Sequence, residues 1–298
     1  MAERPVSFRS DEHLVGVLHE PDGEARGTGV VFLHGWAGYR GGPHRMFVDA
    51  ARRLCDAGYH ALRFDLRGRG DSTGEVAATD LDGMIEDARA ARRFLLDQEG
   101  VERTCWLGIC SGGNVALGAA SLDKDVDGLI LWSTPLFAPF KKKSQEVARR
   151  GMFVVEYAKK LLRAETYVKL FRGRLRLGLV ARILLGRRRP SGGERDPKDS
   201  LRDIMGDLRG YGGRVLFVYG SKDDEAVGAP EFYEEYCREG QIPAVFHTIE
   251  GANHSYYSVA WADEVMRHTR EWLDGGGGAS AVGERQGSGN EAGMMNVE

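Results

Sequence analysis

The apolar residues of this chain form two kinds of pattern that alternate along the sequence. Continuous apolar runs of strand length occur at residues 29–33, 59–64, 104–109, 129–132, 215–219 and 245–249. Stretches with helical spacing lie between or after them, at 45–57, 81–98, 114–122, 230–239 and 258–273. Uninterrupted apolar strands are typical of a sheet buried on both faces. The alternation therefore predicts an α/β fold in which helices cover a mostly parallel sheet through right-handed crossovers.

Three segments depart from this alternation. Residues 6–9 and 13–20 flank the polar triplet Ser10-Asp11-Glu12 and predict an antiparallel hairpin ahead of the parallel strands. Residues 136–204 are helix-like and rich in Lys and Arg, which predicts an inserted helical cap. Residues 275–298 are rich in Gly and lack aromatic residues, so we expect a disordered tail. The predicted core consists of residues 1–135 and 205–274.

The charge of the chain is unevenly distributed. Residues 141–190 hold 16 Lys and Arg against three acids, a net of +13, which leaves −16 for the rest of a chain whose net charge is −3. The basic cap can be read as a solvated outer face, or as a surface that attracts an anionic substrate or an anionic membrane. Binding of nucleic acid is not expected, because no nucleic-acid-binding motif accompanies the charge.

The cysteines and the apolar runs indicate in which cellular compartment the protein would be found. Cys55, Cys105, Cys110 and Cys237 are scattered, and they form neither a CxxC pair nor a spacing typical of zinc sites. The first ten residues lack the apolar core of a secretory signal, and no apolar run has the length of a spanning helix. We therefore expect a soluble cytoplasmic protein without a metal.

A candidate nucleophile lies in the segment Gly108-Ile109-Cys110-Ser111-Gly112, between a strand and a helix of small residues. A nucleophile on such a sharp turn needs small residues two positions before and after it. Centring the motif on Cys110 places glycine at both positions, whereas centring it on Ser111 places Ile109 at one of them. Cys110 is therefore favoured, with Ser111 as the alternative and as a source of an oxyanion N–H. A buried structural cysteine is the competing interpretation.

Two later segments offer an acid and a base. Asp223 follows one apolar strand and His254 follows the next, which gives the order nucleophile, acid, base. His254 would accept the Cys110 proton, and Asp223 would orient its ring, with Asp224 and Glu225 as alternative acids. The competing interpretation is a loop-capping aspartate and an exposed loop histidine.

Two further motifs follow strands near the N-terminus. His34-Gly35-Trp36-Ala37-Gly38 has glycines that allow backbone N–H groups to face a substrate, and the Trp36 N–H is the predicted second oxyanion donor. His34 is predicted to be a structural hydrogen-bonding group. Residues 65–72 lack the ending of a Walker motif and are predicted to form a structural turn.

Together these motifs resemble the α/β-hydrolase superfamily, most closely its serine aminopeptidase and monoacylglycerol lipase-like branch. The cysteine in place of serine is similar to dienelactone hydrolases. The resemblance implies an eight-stranded sheet, a cap after the sixth strand and no cofactor. It leads us to expect a hydrolase that cleaves an ester, a thioester or a lactone in a small-molecule acyl substrate, anionic or neutral. The alternative is a catalytically idle protein of this fold that binds an anionic ligand or a membrane surface through its basic cap.

Overall fold

The computed structural model describes residues 1–137 and 196–276. Its eight strands are β1 (Ala2–Arg9), β2 (His13–Glu20), β3 (Gly27–Leu33), β4 (His60–Phe64), β5 (Val101–Ile109), β6 (Gly128–Trp132), β7 (Arg214–Gly220) and β8 (Ala244–Ile249). They form one sheet in the order β1-β2-β4-β3-β5-β6-β7-β8. Strand β2 pairs antiparallel with β1 and β4, and all other pairs are parallel. The predicted hairpin and mostly parallel sheet are confirmed.

Helices cover both faces of this sheet. They are α1 (Met46–Asp56), α2 (Leu81–Leu96), α3 (Ser111–Leu122), α4 (Ile204–Asp207), α5 (Ala229–Gly240) and α6 (Val259–Glu271). Strand β3 shows how the core divides, because Val31 and Leu33 pack with α2 to α5 while Val30 and Phe32 pack with α1 and α6. Successive strand residues point to opposite faces, so one apolar run serves both layers.

The start of α3 differs from the sequence prediction. The helix begins at Ser111, three residues before the predicted Asn114, although glycines at 112 and 113 have poor helix propensity. Tertiary packing selects them, since a Cβ on Gly113 would lie 1.9 Å from Thr134 Oγ1. Strand β5 likewise starts three residues early, and α4 was not predicted. Helix α3 thus begins directly after Cys110.

The predicted cap and tail lie largely outside the described residues, and the division into core, cap and tail stays a prediction. Where the described chain resumes, it contacts α2: the Leu81 N–H donates to Pro197 O at 2.9 Å, and the Leu201 N–H donates to Asp82 at 2.9 Å. None of the helices in residues 1–137 and 196–276 is both long enough and apolar enough to cross a membrane.

Candidate active site

Cys110 occupies the bend between β5 and α3. Its backbone has φ 55° and ψ −131°, a conformation that costs a non-glycine residue on the order of 1–3 kcal/mol. The bend is held because the Cys110 N–H donates to Trp132 O and the Gly113 N–H donates to Cys110 O, each at 2.9 Å. The thiol therefore stands at the N-terminus of α3, where the helix dipole favours negative charge.

The two flanking glycines fit the space that the bend leaves. A Cβ on Gly108 would lie 2.4 Å from Gly112 O, and a Cβ on Gly112 would lie 2.0 Å from Leu33 O. Real Cβ atoms do not approach backbone atoms so closely. This confirms the steric reasoning that centred the motif on Cys110. Its role as nucleophile stays a prediction.

His254 and Asp223 lie beside this thiol. His254 Nδ1 is 2.8 Å from Asp223 Oδ1, and Cys110 Sγ lies within 4.8 Å of a His254 ring nitrogen. Asp223 is almost completely buried, and its Oδ1 also accepts the N–H groups of Glu225 and Ala226 at 3.1 Å each. The structure thus brings the three predicted residues together in the order thiol, imidazole, carboxylate.

The surroundings of His254 favour its protonated form. Burial alone lowers the pKa of the ring, but the hydrogen bond to Asp223 and the neighbouring Cys110 outweigh it and raise the pKa to about 10. A ring with this pKa holds a proton at neutral pH. That state is the one required of an imidazole that has taken the proton of a nucleophilic thiol.

The alternative acids lie elsewhere. Asp224 is exposed, and the Glu225 carboxylate lies on the opposite side of the ring, with Oε2 3.7 Å from His254 Nε2. Glu225 also comes within 4.8 Å of Cys110 Sγ. Asp223 is therefore the residue placed on Nδ1. The sequence contained no signal that Glu225 would lie near both the thiol and the ring.

Tyr256 anchors the loop that carries His254. Its hydroxyl donates to Val218 O at 2.6 Å and accepts from Ser133 Oγ at 2.9 Å. Tyr256 and Ser133 both adopt positive φ, at 50° and 49°. The Lys222 N–H also donates to Ala252 O at 2.9 Å, which ties the acid loop to the histidine loop. Sequence reasoning missed this anchor, because no motif marks it.

The predicted oxyanion donors are neighbours, but their contact was not predicted. The Trp36 N–H donates to Ser111 Oγ at 2.6 Å. An oxyanion would sit roughly 2.7–3.1 Å from such a donor, so the hydroxyl stands close to where a substrate oxygen would bind. Arg69 fixes Trp36 from behind: its Nε donates to Trp36 O at 2.7 Å, and its guanidinium carbon lies 5.5 Å from the indole centroid.

The structural interpretations of His34 and residues 65–72 are confirmed. His34 is buried, which lowers its pKa, and its Nε2 accepts the Leu66 N–H at 3.1 Å while Nδ1 contacts Gly35 O at 2.8 Å. Buried Asp65 accepts the Arg40 and Asp71 N–H groups at 2.7 and 3.0 Å. The turn thus supports the loop that carries Trp36.

A cavity of about 740 Å³ opens in front of Cys110. Its apolar lining includes Leu81, Met84, Ile109, Val115, Pro135 and Leu136. Charged groups at the same cavity include Lys198 and Glu225, and Lys198 Nζ lies 5.7 Å from the Trp36 ring centroid. As far as the described residues define it, the cavity combines an apolar lining with charged groups, of which Glu225 lies near the Cys110 thiol.

Comparison with known proteins adds a family. Residues 30–267, more than half of the chain, match the Alpha/beta hydrolase family. Among curated proteins, Protein ABHD12B from Homo sapiens is 33% identical over 106 residues, which cover 34% of this chain and 28% of that protein. Lysophosphatidylserine lipase ABHD12 from Bos taurus is 51% identical over 59 residues, which cover 20% and 14%. The chain thus matches less than a third of the length of these relatives.

Solved structures resemble the chain over most of its length. An esterase from Pyrococcus furiosus has a TM-score of 0.61 at 20% identity, covering 92% of this chain and 91% of that one. A dienelactone hydrolase from Anabaena variabilis has a TM-score of 0.60 at 17% identity, covering 92% and 97%. At these identities the likeness shows the fold alone.

Proposed function

The chain belongs to the alpha/beta hydrolase family and is a hydrolase, and from this premise we propose that it cleaves an ester or thioester through Cys110, His254 and Asp223. The observation that carries the proposal is the juxtaposition of these three side chains. Asp223 Oδ1 lies 2.8 Å from His254 Nδ1, and the Cys110 sulfur lies within 4.8 Å of a ring nitrogen of His254. The strained backbone of Cys110 and the buried hydrogen bond between Asp223 and His254 lie at the same place.

The first half-reaction forms an acyl-enzyme. The Cys110 sulfur attacks the acyl carbon, and the carbonyl electrons move onto the oxygen, which the N–H groups of Trp36 and Ser111 stabilise. As the tetrahedral intermediate collapses, the bond to the leaving group breaks and His254 donates its proton to that group. The product is a thioester of Cys110.

The second half-reaction releases the acid. His254, now neutral, takes a proton from water, and the resulting hydroxide attacks the Cys110 thioester. Collapse of this intermediate expels the thiolate and releases the carboxylic acid. Asp223 contributes by holding Nδ1 and by stabilising the imidazolium, and its own position is set by two main-chain N–H groups.

The cavity supports a substrate with an apolar acyl group. Its wall of Leu, Met, Val, Ile and Pro side chains suits hydrocarbon, and Lys198 beside Trp36 would favour a negative charge on the leaving group. Lysophosphatidylserine lipase, the name of one relative, describes a substrate of this general kind for that protein. We therefore propose a small-molecule ester or thioester with an apolar acyl group, and with an anionic leaving group as the favoured variant. A lactone fits the same chemistry.

The cysteine bears on the branch of the family. Thiolates attack activated esters, thioesters and lactones readily, whereas amide cleavage must expel an amine, which is a poorer leaving group. We therefore place the chain near the lipase-like members of the serine aminopeptidase branch in sequence pattern, and near the cysteine hydrolases in chemistry. The proposed role of the basic cap in attracting anions falls largely on residues outside those described, and Lys198 is a described residue of the predicted cap.

The test is a chain-length series of p-nitrophenyl esters and acyl-thioesters. Cys110→Ala should abolish turnover and labelling by a thiol-directed probe, whereas Cys237→Ala, which changes a buried cysteine on α5, should retain both. Turnover by Cys110→Ala would refute the assignment. Salt-dependent binding to anionic vesicles without turnover on any substrate would instead identify an idle binding protein.

A further inference from the structure

Glu225 adds a third kind of ligand atom to the pair of Cys110 and His254. A sulfur, a ring nitrogen and a carboxylate oxygen from these residues all lie within 4.8 Å of one another. The distance between His254 Nε2 and Glu225 Oε2 is 3.7 Å. Every cysteine and histidine of the sequence lies within the described residues, and the three other cysteines are buried. Cys110 is therefore the partly exposed cysteine, and its thiol lies beside the His254 imidazole.

The donor set and its spacing fit one class of metal ion. Thiolate, imidazole and carboxylate together suit Zn²⁺, whereas Mg²⁺ and Ca²⁺ prefer oxygen ligands alone. Tetrahedral Zn²⁺ with ordinary bond lengths separates its ligand atoms by about 3.4–3.6 Å. The observed 3.7 Å between nitrogen and oxygen is close to this separation. Glu225 is 58% exposed, so its carboxylate has room for the remaining adjustment.

The groups around His254 are arranged as they are around zinc-binding histidines. Asp223 Oδ1 contacts Nδ1 at 2.8 Å, and a carboxylate in this position fixes the ring and leaves Nε2 as the ligand atom. Nε2 is buried and makes no hydrogen bond within residues 1–137 and 196–276. The Glu225 N–H donates to the same Asp223 oxygen, so one loop supplies both the third ligand and the orienting contact.

We propose that Cys110, His254 and Glu225 form a Zn²⁺ site that reversibly switches the hydrolase off. The ion takes three protein ligands and leaves a fourth position toward the cavity, where water binds. Binding releases to solvent the one proton that the Cys110 and His254 pair carries between the thiol and Nε2 positions, on either of the two groups, and no oxidation is involved. Because the metal occupies the sulfur and the ring nitrogen together, it removes the nucleophile and the base in one step. The inference rests on the proposed function only for its effect on activity.

Cobalt(II) gives a direct view of the site. Metal-free full-length protein titrated with Co²⁺ should develop a thiolate-to-cobalt charge-transfer band and visible bands of tetrahedral strength. Cys110→Ser should lose the charge-transfer band. Displacement of Co²⁺ by Zn²⁺ then measures the zinc affinity. Six-coordinate Co²⁺ bands without a thiolate band would overturn the proposal.

Glu225 has a matched control in its neighbour Asp224. Glu225→Gln should weaken zinc affinity by at least about tenfold, because a neutral amide is a poor zinc ligand. Asp224→Asn removes the same charge one residue away, at an exposed position, and should change the affinity by less than about twofold. Equal losses in the two variants would show that zinc affinity depends only on the net charge of this loop, and the proposal would fail.

The two proposals can fail separately. Hydrolysis by chelator-treated enzyme tests the nucleophile, and it requires no metal site. The cobalt spectrum tests the metal site, and it requires no turnover. For the active enzyme, zinc should inhibit at the same concentrations at which it displaces cobalt, and a chelator should restore the full rate. Inhibition at concentrations unrelated to cobalt displacement would contradict the switch.

Discussion

The main-chain N–H of Trp36 donates a 2.6 Å hydrogen bond to the hydroxyl of Ser111. This places an oxygen of the protein close to where a substrate oxyanion would meet the same N–H. In the proposed mechanism, a substrate must therefore displace the hydroxyl before it can use the donor. Arg69 Nε donates to the Trp36 carbonyl, which restrains this residue at the peptide that follows it.

We predict that Ser111→Ala raises kcat/KM roughly fivefold. The exchange sacrifices about one neutral hydrogen bond, about 1 kcal/mol, and this corresponds to about a fivefold change in rate. Ester hydrolysis at substrate concentrations below KM measures the effect. Ser121→Ala, at the other end of α3, should leave kcat/KM unchanged. A tenfold fall in Ser111→Ala would show instead that the hydroxyl donates to the oxyanion.

Asp223→Asn should lower kcat by at least about 100-fold with little change in KM. The amide removes the charge that stabilises the His254 imidazolium, and it can present an N–H to Nδ1 in place of an acceptor. Steady-state kinetics on the best p-nitrophenyl ester measures the loss. Asp224→Asn is the control and should keep its rate, since Asp224 is exposed. An equal loss in both variants would contradict the assignment of Asp223, rather than Asp224 or Glu225, as the acid that orients His254.

Local rules account for the parts of the site that the sequence predicts. The spacing of Gly108 and Gly112 around Cys110 is a steric requirement of one tight turn. Because the requirement is local, it can be read from these few residues. Asp223 and His254 follow strands, and parallel strands end at one edge of the sheet. The order of the motifs is then enough to bring these side chains to one place.

The parts that were missed depend on side-chain directions or on distant contacts. The Trp36 and Ser111 contact joins residues 75 positions apart and depends on one hydroxyl rotamer. Glu225 lies near both the thiol and the imidazole because the acid loop brings it there, and no local pattern encodes that placement. The glycines at the start of α3 concealed a helix whose first turn is stabilised by packing against Thr134. Tertiary structure decided these features against local propensity.

Gly112→Ala should lower the free energy of unfolding by about 3 kcal/mol. The new Cβ would lie 2.0 Å from Leu33 O, and both groups belong to buried backbone that cannot move apart freely. Urea unfolding followed by circular dichroism measures the change. At Gly212 an added Cβ meets nothing within 4 Å, so Gly212→Ala should stay within about 0.5 kcal/mol of wild type. Similar midpoints for the two variants would contradict the steric account.

His19 is a buried group that makes stability depend on pH. It lies on β2 with its side chain fully buried, and its Nε2 accepts a 2.8 Å hydrogen bond from Arg63 Nε. Burial, and then the positive charge of Arg63, lower its pKa from 6.5 to about 4. Glu3, 3.7 Å from Nδ1, opposes this, but it is itself paired with Arg52. Protonation would break the Arg63 bond and place two cations together.

Stability should therefore fall as the pH is lowered from about 6.5 to about 4. In that interval the unfolded chain binds a proton at His19 and the folded protein does not, so the contribution is full above pH 6.5 and is lost on acidification. A difference of about 2.5 pKa units corresponds to at most about 3 kcal/mol. His19→Gln retains an acceptor for Arg63 but does not titrate, so its urea midpoint should depend less on pH in this interval than that of wild type. Parallel profiles for the two proteins would show that other groups, such as the remaining histidines and the carboxylates, account for the acid sensitivity.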